Sequence, residues 1–224
     1  MSTIGNINPA ITNILKTRFK IRCVEMIEWA CYKLKETKTI NKDWGEENIT
    51  ANIYVLIHNN KKSVDYNIYP ECECPLYNHG ILNNISNAKT APRIDLVFQH
   101  NWNYQRFSFY VEAKNLIETD VLKTGRKSKT TASYVLNRYI TTGIDHFVKE
   151  YYPLGCILGY VLKGSISGII NNINTILKKN GRSGECLQCY SGSEPWVKYE
   201  SHHPSITTPI EHYLFNFNGV EQKE

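Results

Sequence analysis

Two carboxylates and one ammonium, Asp95, Glu112 and Lys114, stand close together in the chain, in a pattern that suits phosphate chemistry. Acidic oxygens gathered where a hairpin ends fit a hard divalent ion such as Mg²⁺, with Mn²⁺ as a substitute, and a phosphate substrate. Lys114 would then orient an attacking water or neutralise charge on the phosphate in the transition state. The plain alternative is that Glu112 and Lys114 form the solvated face of an ordinary amphipathic strand. Asp95, at the end of an apolar strand just before them, is what sets this Glu-x-Lys apart.

The elements that must position these side chains lie between Ala91 and Leu116, which reads as two β-strands joined by a short polar turn. Ile94, Leu96 and Phe98 alternate with Asp95, Val97 and Gln99, and Phe107, Phe109, Val111 and Ala113 alternate with Ser108, Tyr110, Glu112 and Lys114. A turn centred on Asn101 to Asn103 makes paired numbers sum to about 205. Asp95 is then expected opposite Tyr110, with Glu112 its diagonal neighbour on the same face at roughly 7–8 Å. A slip of one residue would move Asp95 to the other face and remove the site.

At these residues the sequence resembles the PD-(D/E)xK nuclease superfamily, the restriction-endonuclease-like fold. Asp95 matches the first acid, Glu112 the second, Ala113 the apolar spacer and Lys114 the catalytic lysine. The proline of the signature is displaced, since Pro92 stands three residues before Asp95 and Ile94 precedes the acid directly. The resemblance implies that the Ala113 carbonyl joins the metal shell. It also implies a further acid from an N-terminal helix, for which Glu46 is the candidate and Glu25 and Glu28 are rivals. For Glu46 and Glu47 the economical reading is simply a favourable place at the positive end of a helix dipole.

The remaining chain supplies elements for such a core. Thr12 to Lys35 reads as a helix with Ile14, Phe19, Ile21, Val24 and Ile27 among its apolar positions. A second helix begins near Trp44 to Glu47 and runs through Ile57, with Ile49, Ile53 and Ile57 at helical spacing. Asn59 to Thr90 reads as loop with a short strand; His58 and His79 are isolated there. Thr131 to Tyr151 predicts a helix that Gly143 bends or interrupts. Leu154 to Leu162 predicts a buried strand, and Ser165 to Lys179 a strongly amphipathic helix stopped by Asn180 and Gly181. Two strands, Trp196 to Ser201 and Ile210 to Phe217, close the chain. The expectation is one α/β domain over 1–224 with a mixed central sheet and an αβββαβ core: N-terminal helices over 1–60, catalytic core over 91–180, C-terminal strands over 190–224.

Lys123, Arg126, Lys127 and Lys129 cluster directly after the Glu-x-Lys strand, where phosphates would approach, and Arg138 follows on the next helix. The formal charge of +5 permits nucleic-acid binding without requiring it. With 224 residues and 42% hydrophobic content the chain can bury a sizeable core. No apolar run approaches the roughly 20 residues of a membrane span, and the N-terminus has no signal-peptide pattern, so a cytoplasmic protein is expected. Seven cysteines then read as reduced thiols. Cys72-x-Cys74 with Cys186-x-x-Cys189 makes a poor zinc set. His202, His203 and His212 read as strand-end residues or, at most, DNA-backbone contacts.

These observations together predict a Mg²⁺-dependent endonuclease that hydrolyses DNA, and the resemblance suggests restriction or phage defence as its setting, as a homodimer or with a partner chain. The alternative is a catalytically silent nucleic-acid-binding or defence-complex subunit that needs a partner for activation.

Overall fold

The computed structural model describes residues 9–38, 40–76, 91, 93–102, 105–149 and 155–218. Pro92, His79 and the apolar piece Gly80 to Leu82 lie outside them.

Two long helices come first: α1 (Pro9–Thr37) and α2 (Glu46–His58), followed by the single turn α3 (Lys61–Asp65). α1 buries Phe19, Cys23, Met26, Ile27, Ala30, Cys31 and Leu34, and α2 buries Ile49, Thr50, Ile53 and Ile57. Ile14 and Ile21, two of the apolar positions of α1, are about half exposed. The helix carries apolar residues over more than one face, and its fully buried stripe runs from Phe19 to Leu34.

β1 (Tyr69–Pro75), β2 (Arg93–Trp102) and β3 (Gln105–Ile117) form an antiparallel meander. The chain then crosses through a broken helix to β4 (Cys156–Lys163), which pairs parallel with β3. α6 (Ile166–Lys179) follows, after which β5 (Gln188–Ser193), β6 (Trp196–Ser201) and β7 (Ile210–Asn216) complete a seven-stranded mixed sheet in the order β1-β2-β3-β4-β7-β6-β5. α1 and α2 cover one face of the sheet, packing on Leu96, Phe98, Val111, Leu158 and Phe215. The broken helix and α6 cover the other, packing on Val97, Leu116, Ile157, Val161 and Leu214. α6 is anchored by Ser165, whose hydroxyl accepts from the Gly168 amide, and by five buried aliphatic side chains, each worth about 1.5–3 kcal/mol relative to exposure.

The helix expected as one piece from Thr131 to Tyr151 is three: α4 (Ala132–Arg138), a π-helical turn (Tyr139–Ile144) and α5 (Asp145–Val148). Gly143 sits in the π turn, where an added Cβ would meet Ile157 at 3.6 Å and the Lys114 stem at 3.9 Å. The break therefore lets the helix lie close over Lys114, and π turns recur at functional sites.

Two further expectations need correction. β5 was not foreseen, because Gln188–Ser193 is polar and exposed along its length and shows no alternation: it is a sheet edge. α3 falls within the Asn59–Thr90 stretch that reads as loop, and the Asn60 side chain, which accepts from the Lys62 amide, starts it. The cysteine pairs cannot meet, because Cys72 and Cys74 lie on β1 and Cys189 on β5, the two opposite edges of the sheet.

The C-terminal histidines are interior rather than DNA-facing, apart from the exposed His202. Tyr139 Oη stands 2.7 Å from His212 Nδ1, His212 Nε2 2.8 Å from Ser201 Oγ, Ser201 Oγ 2.7 Å from His203 Nε2, and His203 Nδ1 2.5 Å from Glu185. A carboxylate only accepts, so His203 Nδ1 donates to Glu185 and its Nε2 accepts from the Ser201 hydroxyl. Ser201 in turn accepts from His212 Nε2, whose Nδ1 accepts from Tyr139. Burial lowers the pKa of both imidazoles, that of His203 against the pull of Glu185 and that of His212 to about 3.

Candidate active site

The β2–β3 ladder pairs Leu96 with Val111 and Val97 with Tyr110, and ends with Trp102 opposite Gln105. Paired numbers therefore sum to 207 (96 + 111) rather than about 205, and Asp95 does not stand opposite Tyr110. The centre of the pairing is displaced by one residue from the expected one. A two-residue change of partner preserves which side chains share a face, so the site survives the correction. Asp95 and Glu112 still come together at the end of this ladder, where Asp95 Oδ2 accepts from the Ala113 amide at 2.6 Å.

Lys114 is the hub. Its Nζ donates to Glu112 Oε1 at 2.5 Å and to the Ala113 carbonyl at 2.8 Å, and lies 3.5 Å from Glu46 Oε1. Glu46 is delivered from the first turn of α2, on the same face as Ile49 and Ile53, and its second oxygen accepts from the Asn115 amide at 2.9 Å. Of the three helical acids Glu46, Glu25 and Glu28, it is Glu46 that stands beside Lys114. Both Glu112 and Lys114 are almost fully buried, which overrules the solvated-strand alternative.

The electrostatics follow from that burial. Desolvation raises the Asp95 pKa to about 6 against the pull of Lys114 and the Ala113 amide, with Glu46 and Glu73 adding to the rise. Desolvation raises Glu112 to about 8, again against Lys114, with Asp95 and Glu46 contributing. Burial alone would lower Lys114, yet Glu46, Glu112 and Asp95 together hold its pKa above the ordinary value. One ammonium is thus shared among three acids, and Glu112 Oε2 is buried with no hydrogen-bond partner.

Among the described residues no group of three or more His, Cys, Asp and Glu side chains forms a ready-made metal cage. Mg²⁺ does not require one, since it is commonly held by one or two carboxylates with water and substrate phosphate. The orphaned Glu112 oxygen and the two raised carboxyl pKa values are what a cation would relieve. Asp95, Glu112 and the Ala113 carbonyl fit such an ion, with Glu46 beside them.

Beside this centre opens a cleft of about 380 Å³ whose lining includes Lys114, Lys123, Arg126 and Arg138. Two features bring the basic loop here. Asp43 accepts from both the amide and the hydroxyl of Thr124, and Gly125, at φ +75°, completes a turn in which the Arg126 amide donates to the Lys123 carbonyl. Lys127 and Lys129 are exposed and do not line the cleft.

Sequence reasoning missed four residues here. Glu73 lies between the pairs Cys72↔Leu96 and Cys74↔Ile94, across from Asp95, with an unusual φ of +54°. Asn115 bonds Glu46 and donates to the Trp44 carbonyl. His146, with its pKa lowered by burial and by Lys114, comes from α5, and Tyr134 from α4. Only Asn115, next to the motif, carried a signal in linear order.

A second constellation has the order of a nucleophile triad, Ser201–His203–Glu185. Ser201 is fully buried and its Oγ already bridges two imidazoles, so no substrate reaches it. No family model, curated protein or solved structure matches this chain.

Proposed function

We propose that the chain is a metal-dependent nuclease that hydrolyses DNA phosphodiester bonds, with a restriction-endonuclease-like core. The single observation that carries this reading is the buried, unpartnered Glu112 oxygen beside Asp95, Glu46 and Lys114, a cluster whose carboxylates call for more positive charge than Lys114 provides. Element order supports it too: helices, a three-stranded meander, a helical crossover and a parallel fourth strand follow the αβββαβ pattern.

Asp95, Glu112 and the Ala113 carbonyl would hold Mg²⁺ or Mn²⁺. When bound, that ion acts as a Lewis acid toward the phosphate and lowers the pKa of a coordinated water. Lys114 offers its ammonium to charge developing on the phosphate, and its hydrogen bonds to Glu112 and Ala113 hold it in place for that role. Glu46 keeps Lys114 charged, and Asn115 fixes Glu46. Lys123, Arg126 and Arg138 receive the flanking strand.

The alternative, a nucleic-acid-binding subunit silent without a partner, has one observation in its favour. Lys114 already donates to Glu112 and the Ala113 carbonyl, two groups assigned to the cation. The deciding experiment incubates purified protein with plasmid, linear duplex, single-stranded DNA and RNA in Mg²⁺, Mn²⁺ or EDTA. Cleavage is expected with metal only, and is expected to vanish in folded Asp95→Ala and Glu112→Ala variants. Full activity in either variant, or none in the native chain with any substrate, overturns the reading.

A further inference from the structure

Tyr134 is the one aromatic residue among the described residues that line the cleft, with 60% of its surface open. It sits in the first turn of α4, where its amide donates to the Thr131 hydroxyl, so the backbone that carries the ring is fixed. Arg138 is one helical turn further on and lines the same cleft. Among the described residues no other ring stacks on it and no cation sits over its face, whereas Phe19, Tyr139 and Trp196 each pack on another ring. An amphipathic ring held open at the wall of a charged cleft is suited to stacking on a flat partner.

The cleft is also bipolar. Lys123, Arg126 and Arg138 supply positive charge, while Glu46 and Glu47 at the start of α2 supply negative charge. A bare anion would be repelled by the acidic side. A nucleotide matches both, because its phosphates are acceptors and the exocyclic amines of most bases are donors that a carboxylate accepts. The cleft volume of about 380 Å³ lies at the small end of ligand sites, near roughly 300 Å³. Bases inside a duplex have both faces covered by their neighbours, so a ring at the wall of the cleft can stack only on a base that has left the stack.

We propose that this cleft takes one unpaired nucleotide of a DNA strand, with its base stacked on Tyr134 and its flanking phosphates met by Lys123, Arg126 and Arg138. The assignment rests on the nuclease reading of the adjoining carboxylates and names the substrate of that site as single-stranded or locally unpaired DNA. Tyr134 is then the residue that selects for unpaired structure, while base-independent stacking leaves the sequence free.

The test measures binding by fluorescence anisotropy in EDTA, where metal-assisted cleavage is off. The probes are a labelled single strand, the same strand in a perfect duplex, and the single strand with abasic sites. The native chain should bind the single strand more tightly than the duplex. Tyr134→Ala should weaken single-strand binding about 5- to 140-fold, the range for one base–aromatic stack. Tyr134→Phe should retain it, and the abasic strand should bind the native chain and Tyr134→Ala alike. Equal single-strand affinity for the native chain and Tyr134→Ala, an equal loss on duplex, or no saturable binding to any probe overturns the proposal. A parallel cleavage assay in Mg²⁺ separates the two ideas. Tyr134-dependent binding without cleavage removes the nuclease reading and keeps the nucleotide cleft, and cleavage without Tyr134 dependence does the reverse.

Discussion

Replacing Glu112 by Gln should make the metal-free protein less sensitive to alkaline pH, and the size of the effect can be worked from the burial of this carboxyl. Its pKa rises from 4.5 to about 8 in the folded chain, mainly through desolvation. A carboxyl whose folded pKa is raised contributes stability at low pH and loses it as pH climbs through the folded value. Between pH 5 and pH 9 Glu112 should therefore cost the native chain about 4 kcal/mol of stability, at 1.36 kcal/mol per unit. Asp95, raised from 3.8 to about 6, adds a loss of the same sign. It is smaller over this window, on the order of 1 kcal/mol. Glu112→Gln removes the first contribution and keeps the second. For a chain of this length 1 kcal/mol moves Tm by roughly 2–4 °C, so the native protein in EDTA should lose on the order of 10 °C more than the variant across the window. Thermal melts followed by circular dichroism at pH 5, 7 and 9, with and without Mg²⁺, read this directly. Mg²⁺ should raise the native Tm most at the alkaline end and should raise that of Glu112→Gln much less. Parallel pH profiles for the two proteins would refute the claim that Glu112 is a strained, cation-seeking carboxylate.

Two further outcomes are expected. Lys114→Ala should lower turnover by a factor of 100 or more, on the order seen when one charge-stabilising donor is lost, with much less effect on DNA binding; kcat and Kd measured side by side check this. Changing Lys123, Arg126 and Arg138 together to Ala should reduce the slope of log affinity against log salt by up to about 0.9 per phosphate contact on duplex DNA. Lys127→Ala with Lys129→Ala, outside the cleft, should leave that slope unchanged, and a salt titration of all three proteins decides whether the cleft carries the phosphate path.

The site was legible because it rests on short-range regularities. Alternation along β2 and β3 places Asp95, Glu112 and Lys114, and the spacing of Glu46 from Ile49 and Ile53 aims it inward. The register is not legible because several polar residues between Asn101 and Gln105 are compatible with a turn, and nothing in their types selects one centre. The error amounted to a change of partner by two, which leaves every side chain on its own face. Contacts of long sequence separation could not be read in this way. Glu73 faces Asp95 only once β1 is docked, Tyr134 and Arg138 acquire meaning only when the basic loop folds back to Asp43, and His203 finds Glu185 only across the C-terminal sheet. The π turn was foreshadowed by Gly143, but its placement over Lys114 depends on packing against Ile157.

The row from Tyr139 through His212, Ser201 and His203 to Glu185 constrains how this sequence can drift. Each inner member must accept on one side and donate on the other, and the direction is dictated from one end by Glu185. A substitution that looks mild in isolation, such as Ser201→Ala, deprives two imidazoles at once, and each stranded polar atom costs about 1–3 kcal/mol. Mutational tolerance should therefore be graded along the row: lowest in the middle, and highest at Tyr139, where loss of the hydroxyl strands a single nitrogen. Variation at these positions is expected to occur in concert, through joint replacement by apolar side chains of similar volume, rather than one residue at a time.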